Sequence, residues 1–150
     1  MNIKQWFIFL VLITSGGFTS QGRSMSPDEQ VCGKWETMEH NLIIQVYHDN
    51  NTFKAKIIWF KDGDARLMNS WTDRRNPDPA LRNRKIIGLS VLRDLTYNAD
   101  TNTWENGMIY DSKHGREWNA AARIDKDGRL EVKGYWHFKF IGRTLTFKRI

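Results

Sequence analysis

The chain has 150 residues and a formal net charge of +6, with 23 Lys and Arg against 17 Asp and Glu and a single cysteine. One cysteine excludes an internal disulfide and a cysteine-rich zinc cluster, and the sequence holds neither an HExxH motif nor a glycine-rich phosphate loop. The basic residues are scattered along the chain, so no nucleic-acid surface is assigned, although the positive balance favours anionic surfaces.

The first residues read as a cleavable secretory signal. Lys4 precedes the apolar run WFIFLVLI at 6–13, which is shorter than the roughly 20 residues of a membrane span, and Thr14, Ser15, Gly16 and Gly17 follow it. Residues 1–22 are expected to be removed, with a cut after Gly17 or Gly22. Residues 23–30 then form a linker and 31–150 a single domain. The mature protein is expected outside the cytoplasm, in the periplasm or the medium, with no stable membrane span. Cys32 becomes a buried or half-buried free thiol or the partner in an intermolecular bond. About 130 remaining residues suffice for one domain with a core of its own.

From residue 32 onward the hydrophobic period is two. Residues 52–60 place Phe53, Ala55, Ile57 and Trp59 on one face; 116–124 place Trp118, Ala120, Ala122 and Ile124 together; 130–138 set Leu130, Val132, Gly134, Trp136 and Phe138 against Glu131, Lys133, Tyr135 and His137. This alternation specifies half-buried strands. Turn-forming clusters at 48–51, 98–102, 111–115, 126–128 and 141–142 separate them. The predicted strands are 32–39, 42–48, 53–60, 87–97, 104–111, 116–125, 129–138 and 143–149. Eight sequential strands with one apolar face remove their edges by closing, so the expected fold is all-β, a single antiparallel up-and-down barrel of about eight strands. A two-sheet sandwich is the alternative. A barrel of this size has room for its own side chains or one small ligand. Ala120, Ala122 and Gly134 are small at inward positions and either leave that space or admit the large indoles.

A long polar loop interrupts the pattern between strands three and four. Its centre reads TDRRNPDPALRNR at 72–84, and a connection this long is functional or disordered. Asp73 and Asn76 cap turns, Pro77 and Pro79 restrict the backbone, and Pro79 opens one helical turn. The loop is expected to be an ordered flap across a barrel mouth, anchored by Leu67, Met68, Trp71 and Leu81. If 82–84 is extended, Arg82 and Arg84 face the same way and form a fork for a carboxylate or phosphate. The other reading is a pair of internal salt bridges to Asp73 and Asp78. The candidate ligand-binding set is Arg82, Arg84, Asp73, Asn76, Tyr110 and Trp118. The aspartates at 62, 64, 73 and 78 lack calcium-loop spacing. No catalytic residue, metal or cofactor is assigned.

Gly33-Lys34-Trp35 on the first strand, with Arg149 on the last, resembles the signature of the calycin barrels: lipocalins, fatty-acid-binding proteins and avidins. The resemblance implies that Arg149 lies over the Trp35 indole as a barrel plug, a cation on an aromatic face. A second resemblance spans about residues 33 to 149. It rests on Asp73-x-x-Asn76-Pro77-Asp78-x-x-Leu81-Arg82-x-Arg84-x-x-x-Gly88, Trp104-x-x-Gly107-x-Ile109-Tyr110-Asp111-x-x-x-Gly115, Leu130-x-Val132-x-Gly134-Tyr135 and Gly142-Arg143-Thr144-x-x-Phe147-x-Arg149. These resemble the bacterial domain-of-unknown-function family 2147, with departures at Ser112 and Trp118. The resemblance implies an exported single-domain protein and brings no activity.

Three functions are therefore carried forward. The first is a binding module for a small, partly apolar molecule whose acidic group meets Arg82 and Arg84. The second is a structural or interaction protein of the cell envelope with a filled core. The third is an enzyme acting on an envelope molecule through Asp73, Arg82, Tyr110 or Asp111. The sequence specifies no oligomeric state.

Overall fold

The computed structural model describes residues 25–61, 63 and 67–150, so the expected signal peptide lies outside the described residues. Eight strands follow one another: β1 (Gly33–Thr37), β2 (Leu42–Asp49), β3 (Thr52–Phe60), β4 (Ser90–Asn98), β5 (Thr103–Asp111), β6 (Arg116–Ile124), β7 (Leu130–Tyr135) and β8 (Gly142–Arg149). Each pairs antiparallel with its neighbour in sequence, and β8 returns to β1 to close the barrel. Closure, and not a sandwich, is what a meander with one apolar face requires to bury every ladder edge.

The interior is built by the alternation. Phe53, Ala55 and Ile57 of β3, Ala120 and Ala122 of β6, and Leu130 and Val132 of β7 are all buried. Trp35, Trp104, Phe147, Leu92 and Leu95 fill the space between them at 2% exposure or less. Complete burial of such side chains stabilises by about 1.5–3 kcal/mol each.

The alternation fails in two places, for different reasons. In β4, Leu92 and Leu95 are both buried although they are three apart. Asp94 between them takes a left-handed φ of 61°, and Asn106 opposite takes 60°. The ladder shifts register there, so the extra residue is absorbed as a bulge. In β7, the strand ends at Tyr135 and does not run to 138. Tyr135 is buried, whereas Trp136 and Phe138, expected inside, are 59% and 60% exposed. The alternating residues WHFKFI form the β7–β8 connection.

The barrel has two unlike ends. One carries the start of β1 and the end of β8 together with the short turns β2–β3, β4–β5 and β6–β7. The other carries the β1–β2 turn, the long insertion 61–89, the β5–β6 turn and the β7–β8 connection. The seam between β1 and β8 is short. It pairs Trp35 with Arg149, Glu36 with Lys148 and Thr37 with Phe147; Ile150 N–H donates to the Lys34 carbonyl on one side of it and Met38 N–H to the Thr146 carbonyl on the other. The wall is therefore lower beside residues 142–145.

Candidate functional site

At the first end, residues expected as linker belong to the domain. Pro27–Val31 form a 3-10 turn that lies against the barrel. Trp35 Nε1 donates to the Val31 carbonyl at 2.8 Å and Trp104 Nε1 to that of Asp28 at 3.0 Å. The Arg149 guanidinium sits 4.2 Å from the Trp35 ring centroid. Its Nη1 donates to the Cys32 carbonyl at 2.7 Å and its Nη2 to that of Gln30. The glycine of Gly-x-Trp has a physical reason: Gly33 has φ 137°, and a Cβ there would stand 2.5 Å from Arg149 Nη1. This end is closed. The half-buried Cys32 thiol lies within it, its pKa raised chiefly by burial and then by Glu29 and Asp28.

At the second end, the insertion folds around one carboxylate. Thr72 and Lys85 pair across its base, and Asp73 N–H donates to the Arg84 carbonyl at 3.0 Å. Asp73 is fully buried. Its Oδ2 accepts from Arg84 Nε at 2.9 Å, Arg84 Nη2 at 2.9 Å and Asn76 Nδ2 at 2.8 Å, and its Oδ1 accepts from the Tyr110 hydroxyl at 2.7 Å. Asn76 Nδ2 also donates to that hydroxyl at 3.0 Å. Burial and the Asp73 carboxylate together push the Tyr110 pKa above its ordinary value of 10.0. Asp78 caps the turn Pro79–Leu81 by accepting from Ala80 N–H at 2.9 Å.

The sequence therefore brought together Asp73, Asn76, Arg84 and Tyr110, but not as a ligand fork. Residues 82–84 are not extended: Arg82 takes a helical conformation and sends Nε to the Asn76 carbonyl at 2.8 Å, while Arg84 grips Asp73. The internal pair is Arg84 with Asp73. Tyr110 alternates with buried Gly107 and inward Ile109 across the β5 irregularity and points out of the barrel, so the insertion is clasped to the outer wall at this end. Of the expected anchors, Trp71 packs edge-to-face on Phe60 at 6.3 Å, whereas Leu67 and Leu81 are exposed. A hollow of about 170 Å³ lies on the same outer wall, lined by Arg84, Val91, Arg93, Met108, Tyr110 and Glu117. Its cations are already matched, Arg84 by Asp73 and Arg93 by Asp94 and Glu117. No group of residues that could hold a metal ion occurs among the described residues.

Trp118 stands apart from this clasp. It is on the inward face of β6, half-buried, with its ring 5.5 Å from that of Trp136. Gly134 lies beside it: a Cβ there would be 3.2 Å from Ile109 and 3.8 Å from the Trp118 Cβ. Leu145 shares the inward face of β8 with Phe147, yet it is 41% exposed where Phe147 is 2% exposed. Trp118, Ile109 and Trp136 thus form an apolar group toward the open end, of which only Trp118 was named as a site candidate from the sequence. The signal for the rest was the missing turn residues in WHFKFI, which mimicked a strand.

An eight-stranded antiparallel barrel with one end plugged by a Trp–Arg pair is a lipocalin-like barrel. The structure is similar to that of protein HP1028 from the human pathogen Helicobacter pylori, described as belonging to the lipocalin family, with a TM-score of 0.67 and 26% sequence identity over 79% of this chain and 82% of that chain. The sequence profile of DUF2147, described as an uncharacterized protein conserved in bacteria, matches residues 33–149, and the chain belongs to that family. No curated protein matches it.

Proposed function

We propose that the protein is an exported binding module whose open barrel end holds a small, partly apolar molecule. The observation that carries this reading is that inward Leu145 is 41% exposed and inward Trp118 only half-buried, while the opposite end is plugged by Arg149 on Trp35. An inward apolar side chain left in water is stabilised by any apolar group that covers it. The likeness to a protein of the lipocalin family supports the reading, as does the leader-like sequence at 1–22 for export. A two-arginine fork for an acidic group on the ligand is not formed, because Arg84 is held by Asp73 and Arg82 donates to the Asn76 carbonyl.

A second reading, a structural protein with a filled core, is favoured by the dense packing of Trp35, Trp104, Phe53 and Phe147 in the plugged half. Two measurements separate the readings. Native mass spectrometry of protein purified gently from its host is expected to show an added mass that is lost on denaturation. Titration with the apolar anion 1-anilinonaphthalene-8-sulfonate is expected to saturate, and Leu145→Glu or Trp118→Ala to weaken it at least about tenfold. Bare protein mass together with dye affinity untouched by both substitutions would leave the filled-core reading.

A further inference from the structure

The large exposed apolar side chains are not spread over the barrel. Among the described residues, Met38, Leu67, Leu81, Trp136, Phe138, Phe140 and Ile141 all lie in connections at the open end and Leu145 lies near the start of β8 at that end, whereas only Met25 and Ile150 are elsewhere. Three separate connections thus carry apolar tips on one end of the molecule. The richest is β7–β8, where Phe138 and Phe140 are stacked at 5.4 Å and are 60% and 78% exposed. Isolated exposed apolar residues need no explanation, but a cluster of this kind marks a contact surface.

Charge follows the same division. The connections of the plugged end carry Asp28, Glu29, Asp100, Asp125 and Asp127 against Lys126 and Arg129. Those of the open end expose Lys61, Arg74, Arg75, Arg82, Lys85, Lys113 and Lys139, against Glu39 and Asp78 among the described residues, and the sequence of the insertion adds Asp62, Asp64 and Arg66. From Val132 to Ile150 the chain has no acidic residue. Lys139 reaches Glu105 of β5 at 2.9 Å, which ties the β7–β8 connection to the barrel wall while Phe138 and Phe140 stay exposed. Arg143, exposed, follows directly.

Aromatic and aliphatic tips set among cations are the chemistry of the anionic membrane interface. Rings enter the headgroup boundary, long basic side chains reach the phosphates, and the negative surface potential orients a molecule with one basic end. We propose that the open end docks on an anionic lipid surface, led by Trp136, Phe138, Phe140 and Ile141. Docking turns the barrel mouth toward the bilayer, so the ligand of the binding module would be lipid-derived and would pass to the mouth without crossing water. That last step rests on the function proposed above; the docking itself does not. The contact is peripheral, and no helix among the described residues is long and apolar enough to cross a membrane.

The test uses residues 25–150, which hold all eight strands and the closing turn and lack the apolar run at 6–13, itself able to bind lipid. The probe is flotation with phosphatidylcholine vesicles with and without about one-third phosphatidylglycerol. Binding is expected to the anionic vesicles, to fall at least about tenfold in F138S/F140S, and to weaken with salt. Both rings are exposed, so the fold should survive; dye titration and thermal melting of the same variant check this. Absence of vesicle binding, or equal binding by wild type and variant, overturns the proposal. So does a concentration-dependent dimer that F138S/F140S abolishes while vesicles are ignored, because the patch then meets a second copy. Vesicle binding without dye binding upholds docking and removes the ligand reading alone.

Discussion

Replacing Asp73 by Ala tests whether the insertion is held by one carboxylate. Asp73 is fully buried and accepts from Arg84, Asn76 and Tyr110. Hydrogen bonds to a charged group contribute about 1.5–3 kcal/mol each, and removing one partner of a buried pair costs about 3–5 kcal/mol. Two facts lower that range. The Arg84 side chain is 37% exposed and regains water, and the Tyr110 hydroxyl keeps Asn76 at 3.0 Å. A loss of about 3 kcal/mol is expected, which is roughly a hundredfold increase in opening of the loop. The assay is native-state hydrogen exchange. The amide of Asn76, bonded to the residue-73 carbonyl, and that of Arg84, bonded to the Leu81 carbonyl, report the insertion. Core amides such as that of Leu92 report the barrel. Exchange should accelerate at 76 and 84 and stay near wild type in β4. Asp78→Ala, which removes only the cap on Ala80, should cost about 1 kcal/mol. Unchanged protection at Asn76 and Arg84 in Asp73→Ala would refute the clasp.

Three further outcomes follow from the same geometry. Arg149→Leu removes a cation 4.2 Å from the Trp35 ring and two bonds to carbonyls, so urea denaturation should show a loss of about 1–3 kcal/mol, which Arg149→Lys does not restore because it lacks the planar fork. Gly115→Ala should cost about 2 kcal/mol or more, since Gly115 has φ 66° and a Cβ there would collide with the Arg75 carbonyl; a neutral melting temperature would contradict the packing of the insertion on this turn. The Tyr110 pKa is raised on folding, so its contribution is complete below pH 10 and is lost as pH rises through the folded value. Absorbance at alkaline pH should therefore show one of the four tyrosines ionising late, and Tyr110→Phe should remove that step.

Much of this fold was legible because barrel strands announce themselves by period two. β3, β6 and the first part of β7 have their inward residues where alternation puts them. β4 was harder, since Asp94 adopts a left-handed φ that lets Leu92 and Leu95 point the same way. Nothing in a count of two anticipates a bulge. The end of β7 misled for the opposite reason: WHFKFI alternates as a strand does, but the seam with β1 is short and the chain turns away after Tyr135. The partners within the insertion were readable as residue types. Asp73, Asn76 and Arg84 are close in sequence, and Tyr110 could be named as a candidate. That Asp73 would be buried was not readable, because its burial depends on the register by which β5 presents Tyr110. Parity puts Leu145 on the inward face with Phe147; its exposure comes from the lowered wall, a property of the closed barrel and not of any local segment.

The most direct test of a ligand at the open end uses the indoles as reporters. Trp35 and Trp104 have their N–H groups bonded to carbonyls at the plugged end, and Trp118 and Trp136 face each other at the mouth. A nitrogen-15 NMR titration of the indole signals with decanoic acid is expected to shift Trp118 and Trp136 in a saturable manner and leave Trp35 and Trp104 in place. Shifts confined to the plugged end, or no indole shift at saturating acid, would contradict the account.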